Sequence, residues 1–317
     1  MGKSRIYLLA ALLLLGPTGT SFGALNVVVS LKPIHSLVAA LMQGVAEPKL
    51  LLTDAQSPHS MTLRPSQMRM LTDADLIVWI GPALEPSLSQ VLQSDRYRAA
   101  LVSLIDVQDL HLLPIREHEA WQSHGHAHHQ EHTQPDSASE APIYDSHIWL
   151  SPENAVRMVR YLTRILTGLD QSHREQYMEN SRALLARLQT LDDLIRVKLE
   201  PIKNIPYVVF HDAYQYFEAH YGLNTVGSVN IDPDRLSGPR HIHRLQETIR
   251  RTKARCLFSE PQFEPKMVHT LVEKLGLGSA ELDPLGQQLA AGPDSYFILM
   301  KGLSDNLTGC LSREMNQ

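Results

Sequence analysis

Leu76-Ile77-Val78-Trp79-Ile80, followed at once by Gly81-Pro82, is the stretch on which the fold turns. An unbroken apolar run of this length reads as a strand covered on both faces, as strands are in a parallel sheet between helices. Working outward, Val27-Val28-Val29 and Leu50-Leu51-Leu52 have the same character. Helix candidates between them begin at Pro33 and Pro65, where proline suits a first turn. Strand and helix in alternation imply βαβ units. A second set starts at Tyr207-Val208-Val209-Phe210 and continues through Thr225–Val229, Cys256–Ser259 and a short run ending at Leu282. Helix candidates near 212–221, 239–251, 265–275 and 294–303 separate or follow these strands. The expected fold is α/β, with two mainly parallel-sheet lobes.

The texture between the two sets differs. Ser151-Pro152-Glu153 is a helix start with Ser as cap, and its pattern runs to about Leu169. From Ser172 to Glu200 there is no Gly or Pro, and Met178, Leu184, Leu185, Leu188, Leu191, Leu194 and Ile195 recur at helical spacing. About 29 residues at 1.5 Å each make a rod of roughly 43 Å. Such a rod is expected to cross from one lobe to the other and restrict hinge motion; the alternative is an amphipathic helix packed inside one lobe. The expected division is a leader at 1–23, a first lobe at 24–150, a helical linker at 151–200 and a second lobe at 201–317.

The leader has three parts: Lys3 and Arg5, an apolar run from Ile6 to Leu15, and a small-residue exit from Thr18 to Ala24. That is the pattern of a secretory signal peptide, and about ten apolar residues cannot span a hydrocarbon core that needs roughly 20. Cleavage is expected near Gly23, with no Cys beside it to carry a lipid, so a soluble exported protein, periplasmic in a bacterium, is favoured. The whole chain of 317 residues carries 29 Lys and Arg against 34 Asp and Glu, a formal net charge of −5. Losing Lys3 and Arg5 gives 27 − 34 = −7. This balance argues against a nucleic-acid partner, and a hydrophobic fraction of 43% excludes a largely disordered chain.

Sixteen histidines are a high count, and six of them, His118, His124, His126, His128, His129 and His132, fall in the apolar-poor segment 116–142. A tract of this kind binds divalent metals weakly, because imidazoles are good ligands but nothing there fixes their geometry. The tighter candidates lie elsewhere. His211 directly follows the strand Tyr207–Phe210 and Asp283 follows the run ending at Leu282, at the carboxyl ends of strands where α/β sheets bind ligands. His147 stands in Asp145-Ser146-His147-Ile148-Trp149, and His59 in the loop Pro58-His59-Ser60-Met61. Only two cysteines are present, Cys256 and Cys310. In an oxidising compartment two lone cysteines either pair, stabilising the fold by about 4 kcal/mol, or remain two buried thiols.

Several longer motifs in order carry a resemblance over nearly the whole mature chain. They are His59 with Leu63-Arg64-Pro65-Ser66, Ala74–Pro82, His147–Glu153, Val209–Tyr214, Ser259–Phe263 and Leu282–Gly286. With these the sequence resembles the ZnuA-type zinc-binding proteins of bacterial high-affinity zinc ABC importers, in the wider group of metal-receptor solute-binding proteins. The resemblance implies Zn²⁺ held between the lobes by His59, His147 and His211, a Cys256–Cys310 disulfide, and an ABC permease as partner of a monomeric receptor. For the fourth position it leaves Asp283 or water, since Ser57-Pro58 puts no carboxylate beside His59; Asp283 is the expected one. Glu260 and Asp212 are candidates to orient the imidazoles from behind.

Three imidazoles with at most one carboxylate suit Zn²⁺ better than Mn²⁺, which prefers more oxygen donors. A zinc hydrolase with an open three-His site is the competing class, but there is no His-Glu-x-x-His motif and no evident general base. A manganese-type receptor or adhesin is the other. The expected function is capture of Zn²⁺ for import, without catalysis, and with affinity falling as ligand imidazoles protonate near pH 6.

Overall fold

The computed structural model describes residues 24–53, 56–94, 97–116, 144–230, 237–263 and 266–313. The leader at 1–23 and the six clustered histidines lie outside the described residues. The first lobe runs β1 (Val27–Val29), α1 (Lys32–Leu41), β2 (Lys49–Leu50), α2 (Pro65–Thr72), β3 (Leu76–Trp79), α3 (Pro86–Leu92) and β4 (Ala100–Ser103). Two helices follow, α4 (Pro152–Leu169) and α5 (Arg174–Leu199). The second lobe runs β5 (Tyr207–His211), α6 (Gln215–Tyr221), β6 (Thr225–Asn230), α7 (Pro239–Thr252), β7 (Cys256–Ser259), α8 (Lys266–Leu275), β8 (Gly278–Glu281) and α9 (Ser295–Leu311).

Each lobe holds a four-stranded parallel sheet, in the orders β2-β1-β3-β4 and β6-β5-β7-β8. Uninterrupted apolar runs give strands with no exposed face: Val27, Val28, Val29, Leu76, Ile77 and Val78 are fully buried. Each such side chain stabilises the fold by about 1.5–3 kcal/mol relative to exposure. Strand β2 is shorter than Leu50–Leu52 because the chain bends away, though Leu51 and Leu52 still donate backbone bonds to Val29 and Ser30. The α3 and β4 elements fall where no strand or helix was expected; β4 is an edge strand with Leu101 exposed, so it lacks the continuous apolar signature of a covered strand.

The long rod is α5, 26 residues, entered and left through single 3₁₀ turns. Its buried stripe of Tyr177, Ser181, Leu184, Leu188, Leu191, Ile195 and Leu199 follows helical spacing. At one end Asn180 donates to the carbonyls of Leu41 and Gln43 in the first lobe. Further along, Arg187 pairs with Asp294 and Lys198 with Asp305 in the second. The helix is therefore joined to both lobes, not packed inside one.

Cys256 on β7 and Cys310 on α9 form a disulfide with Cα atoms 6.4 Å apart. Gly278 pairs with Cys256 across the sheet. A Cβ there would meet the Cys310 and Cys256 sulfurs at 2.9 and 3.1 Å, so the bridge requires glycine at that position.

Candidate metal centre

Three histidines far apart in sequence meet between the lobes. His59 comes from the loop joining β2 to α2, where its amide donates to Ser57 Oγ at 3.3 Å. His147 precedes the 3₁₀ turn Ile148–Leu150 that leads into α4. His211 is the last residue of β5, at the carboxyl end of a parallel strand. Ring centroids lie 5.7 Å (His59–His147), 5.9 Å (His59–His211) and 5.0 Å (His147–His211) apart. One ring nitrogen from each lies within 4.8 Å of the others, the single such grouping among the described residues. An ion bound at about 2.0–2.1 Å from each nitrogen is compatible with that spacing after at most a small adjustment of side chains.

The histidines face a cavity of about 20 Å³ walled by Pro58, Glu260, Gln262, Phe263, Pro284 and Leu285. That is room for one water or one ion and little else. His147 and His211 are 7% and 4% exposed, so a charge bound here is shielded from solvent.

In two of the three rings a carboxylate decides which nitrogen faces inward. Asp145 Oδ1 lies 2.7 Å from His147 Nδ1 and also accepts the His147 amide at 2.9 Å. Glu260 Oε1 and Oε2 lie 3.0 and 3.2 Å from His211 Nδ1. A carboxylate holding Nδ1–H leaves the Nε2 lone pair for a metal, the usual support behind a ligating imidazole. His59 Nε2 is buried with no hydrogen-bond partner among the described residues. Burial, and then the fields of His147 and His211, push the His59 imidazole down to about 2, so it stays neutral. Burial pushes Glu260 up to about 8, opposed first by His147. A cation at the imidazoles favours its ionised form.

The remaining sequence candidates are placed differently. Asp283 is outside the grouping: its Oδ1 accepts from Leu285 N–H and Gln262 Nε2, its Oδ2 from Gln287 N–H. Its carboxylate is thus held by two amides of its own loop and by the Gln262 side chain. Asp212 pairs with Arg116 at 3.0 Å, which also bonds Glu218, and these contacts join it to no imidazole. Burial pushes Asp212 up to about 8 against the pull of Arg116. Glu260 does stand behind His211. Asp145 was not among the expected supports, although an Asp two residues before a candidate ligand was a signal for it. Elsewhere His35 and His241 close ring bonds of 2.8 Å to the carbonyls of Pro48 and Ser228, so both are built into their lobes.

Comparison with known proteins shows the family and the fold. The family model described as "Zinc-uptake complex component A periplasmic" matches residues 27–310. The high-affinity zinc uptake system protein ZnuA of Brucella suis is 36% identical, covering 96% of this chain and 98% of its own. The ZnuA of Yersinia pestis is 33% identical, covering 96% of each. A crystal structure of ZnuA superposes with a TM-score of 0.73 at 22% identity, over 90% of this chain and 99% of that one, which supports the fold. The family-model match over residues 27–310 and the full-length identity to ZnuA proteins, on this two-lobed scaffold, identify the chain as a member of the ZnuA family of periplasmic zinc-uptake components.

Proposed function

We propose that the mature chain captures Zn²⁺ through His59, His147 and His211 and hands it to an ABC permease for import. The observation that carries this reading is the inward-facing nitrogen set. Asp145 and Glu260 occupy Nδ1 of two rings, and the third ring keeps a buried Nε2 without a partner. A nitrogen-only donor set of this size favours Zn²⁺ over oxygen-seeking Mn²⁺. Asp283 lies outside the grouping of ring nitrogens, and water takes the fourth position. The family's uptake role makes this a receptor and not an enzyme, with zinc as cargo.

The finer reading follows from the same site. The leader at 1–23 directs a soluble monomer to the periplasm, and among the described residues no helix is long and apolar enough to cross a membrane. The segment with His118, His124, His126, His128, His129 and His132 adds weak zinc equivalents beside one tight site. Because α5 is joined to both lobes, release uses a small tilt or loop movement instead of wide domain closure. Titration calorimetry of the metal-stripped mature chain tests the assignment. One tight equivalent is expected, lost in His59→Ala, His147→Ala and His211→Ala; a tight equivalent that survives all three sinks it.

A further inference from the structure

The loop after β8 faces two cavities. Pro284 and Leu285 wall the metal cavity, while Leu285 and Gln287 wall a smaller one, of about 10 Å³, whose other lining is Leu31, Lys32, Leu52 and Gln56 of the first lobe. Leu285 is thus the partition between the three-histidine cavity and the lobe boundary. Lys32, the first residue of α1, reaches across that boundary. Its Nζ donates to the carbonyls of Gly286 at 2.9 Å, Gln287 at 2.6 Å and Leu289 at 2.8 Å. An ammonium has three protons, and all three are committed to this one loop. From within the second lobe, Asp283 holds the amides of Leu285 and Gln287. The turn between is tight: Gly286 has φ +62°, and a Cβ there would meet Leu289 and Leu299 methyls at 3.1 and 3.2 Å. Trp149 anchors the same loop through Nε1 to the Pro284 carbonyl at 2.8 Å.

We propose that Lys32 is a positioning residue for zinc retention: it latches the 283–289 loop to the first lobe and so holds Leu285 against the metal cavity until the lobes part. The latch rests on the three-histidine reading of the site. Its donors come from one lobe and its acceptors from the other, so a small relative displacement breaks three bonds together and unseats the wall.

The test is release of Zn²⁺ from the metal-loaded mature chain into excess chelator, followed by stopped flow. Lys32→Met is expected to release zinc about tenfold faster while its association rate stays within about twofold, since altered contacts act mostly on dissociation. Leu285→Ala is expected to speed release by itself, and adding Lys32→Met to it to change the rate less than about twofold, because residues acting through one another are not additive. Wild-type release from Lys32→Met, or full multiplication in the double variant, overturns the latch. Should Lys32→Met fail to fold, wild-type release from Leu285→Ala overturns it equally. His211→Ala separates the two readings. Unaltered zinc retention there defeats the histidine site itself, whereas a defective His211→Ala beside a normal Lys32→Met defeats only the latch.

Discussion

The two lobes share one sheet order, β2-β1-β3-β4 and β6-β5-β7-β8, yet they use the same place in it differently. In the first lobe the chain leaves β1 at Ser30, and the buried carboxylate near it, beyond β3, is Glu85. In the second, β5 ends at His211, and the buried carboxylate beyond β7 is Glu260. Glu85 accepts the amides of Ile80 and Gly81 at 2.7 and 3.3 Å, so it closes a backbone turn. Glu260 accepts from an imidazole. Both are wholly or nearly wholly buried, and burial pushes Glu85 up to about 7 as it pushes Glu260 up to about 8. The scaffold supplies a desolvated carboxylate at the strand ends of either lobe; the neighbouring group decides whether it holds a backbone turn or an imidazole.

Exchanging the roles of these ends should expose the difference most sharply. His211→Ala is expected to weaken zinc binding by about a thousandfold or more, beyond the 10–100-fold typical of removing a supporting partner, whereas Ser30→Ala leaves calorimetric affinity within about threefold. Equal losses in both would erase the contrast between lobes. The covalent tie also belongs to one lobe only. Cys310→Ser should cost about 4 kcal/mol in denaturant unfolding, from the loop it closes, and no loss at all would show that the Cys256–Cys310 bridge is idle.

Glu85 supplies a pH test. Its folded-state value lies above the ordinary carboxylate value of 4.5, at about 7, so between these limits the folded chain holds a proton the unfolded chain has released. Its stabilisation is complete below pH 4.5 and gone once the pH passes about 7. Glu85→Gln cannot lose that proton and should gain on the wild type by about 3 kcal/mol between pH 4.5 and 8. A constant difference between the two unfolding curves across that range would mean that Glu85 does not titrate with the fold. The smallest effect is expected at its counterpart. Glu260→Gln keeps the bond to His211 but lacks a full charge, and should weaken zinc binding about 10-fold, with Asp145→Asn similar. Unchanged titrations of both variants would remove the carboxylates from the metal's support.

Much of this was open to reading in the linear chain, and the reasons are local. Val27–Val29, Leu76–Trp79 and Tyr207–Phe210 are apolar without alternation because both faces are covered, so the strands and their parallel pairing could be inferred. Pro33, Pro65 and Pro152 sit in the first turns of α1, α2 and α4, as expected of a residue with no amide to give. The edge strand Ala100–Ser103 escaped because Leu101 faces solvent. Of the candidate site, the three imidazoles picked from the sequence do converge, and Glu260 stands beside His211. Asp283 stands in its expected position in the chain, but its two oxygens turn toward amides of its own loop, a choice made by a turn and not by residue type.

Sequence alone determined the alternation of strands and helices, the unbroken rod and the family, because each is written in residue type, short-range spacing and ordered motifs. Only the tertiary structure decided which nitrogen of each ring faces the cavity, that Asp145 stands behind His147, and that Lys32 reaches carbonyls more than 250 residues away. Hydrogen bonds and burial depend on ångström-scale distances between segments that the chain keeps far apart, and those distances exist only once both lobes have packed against α5.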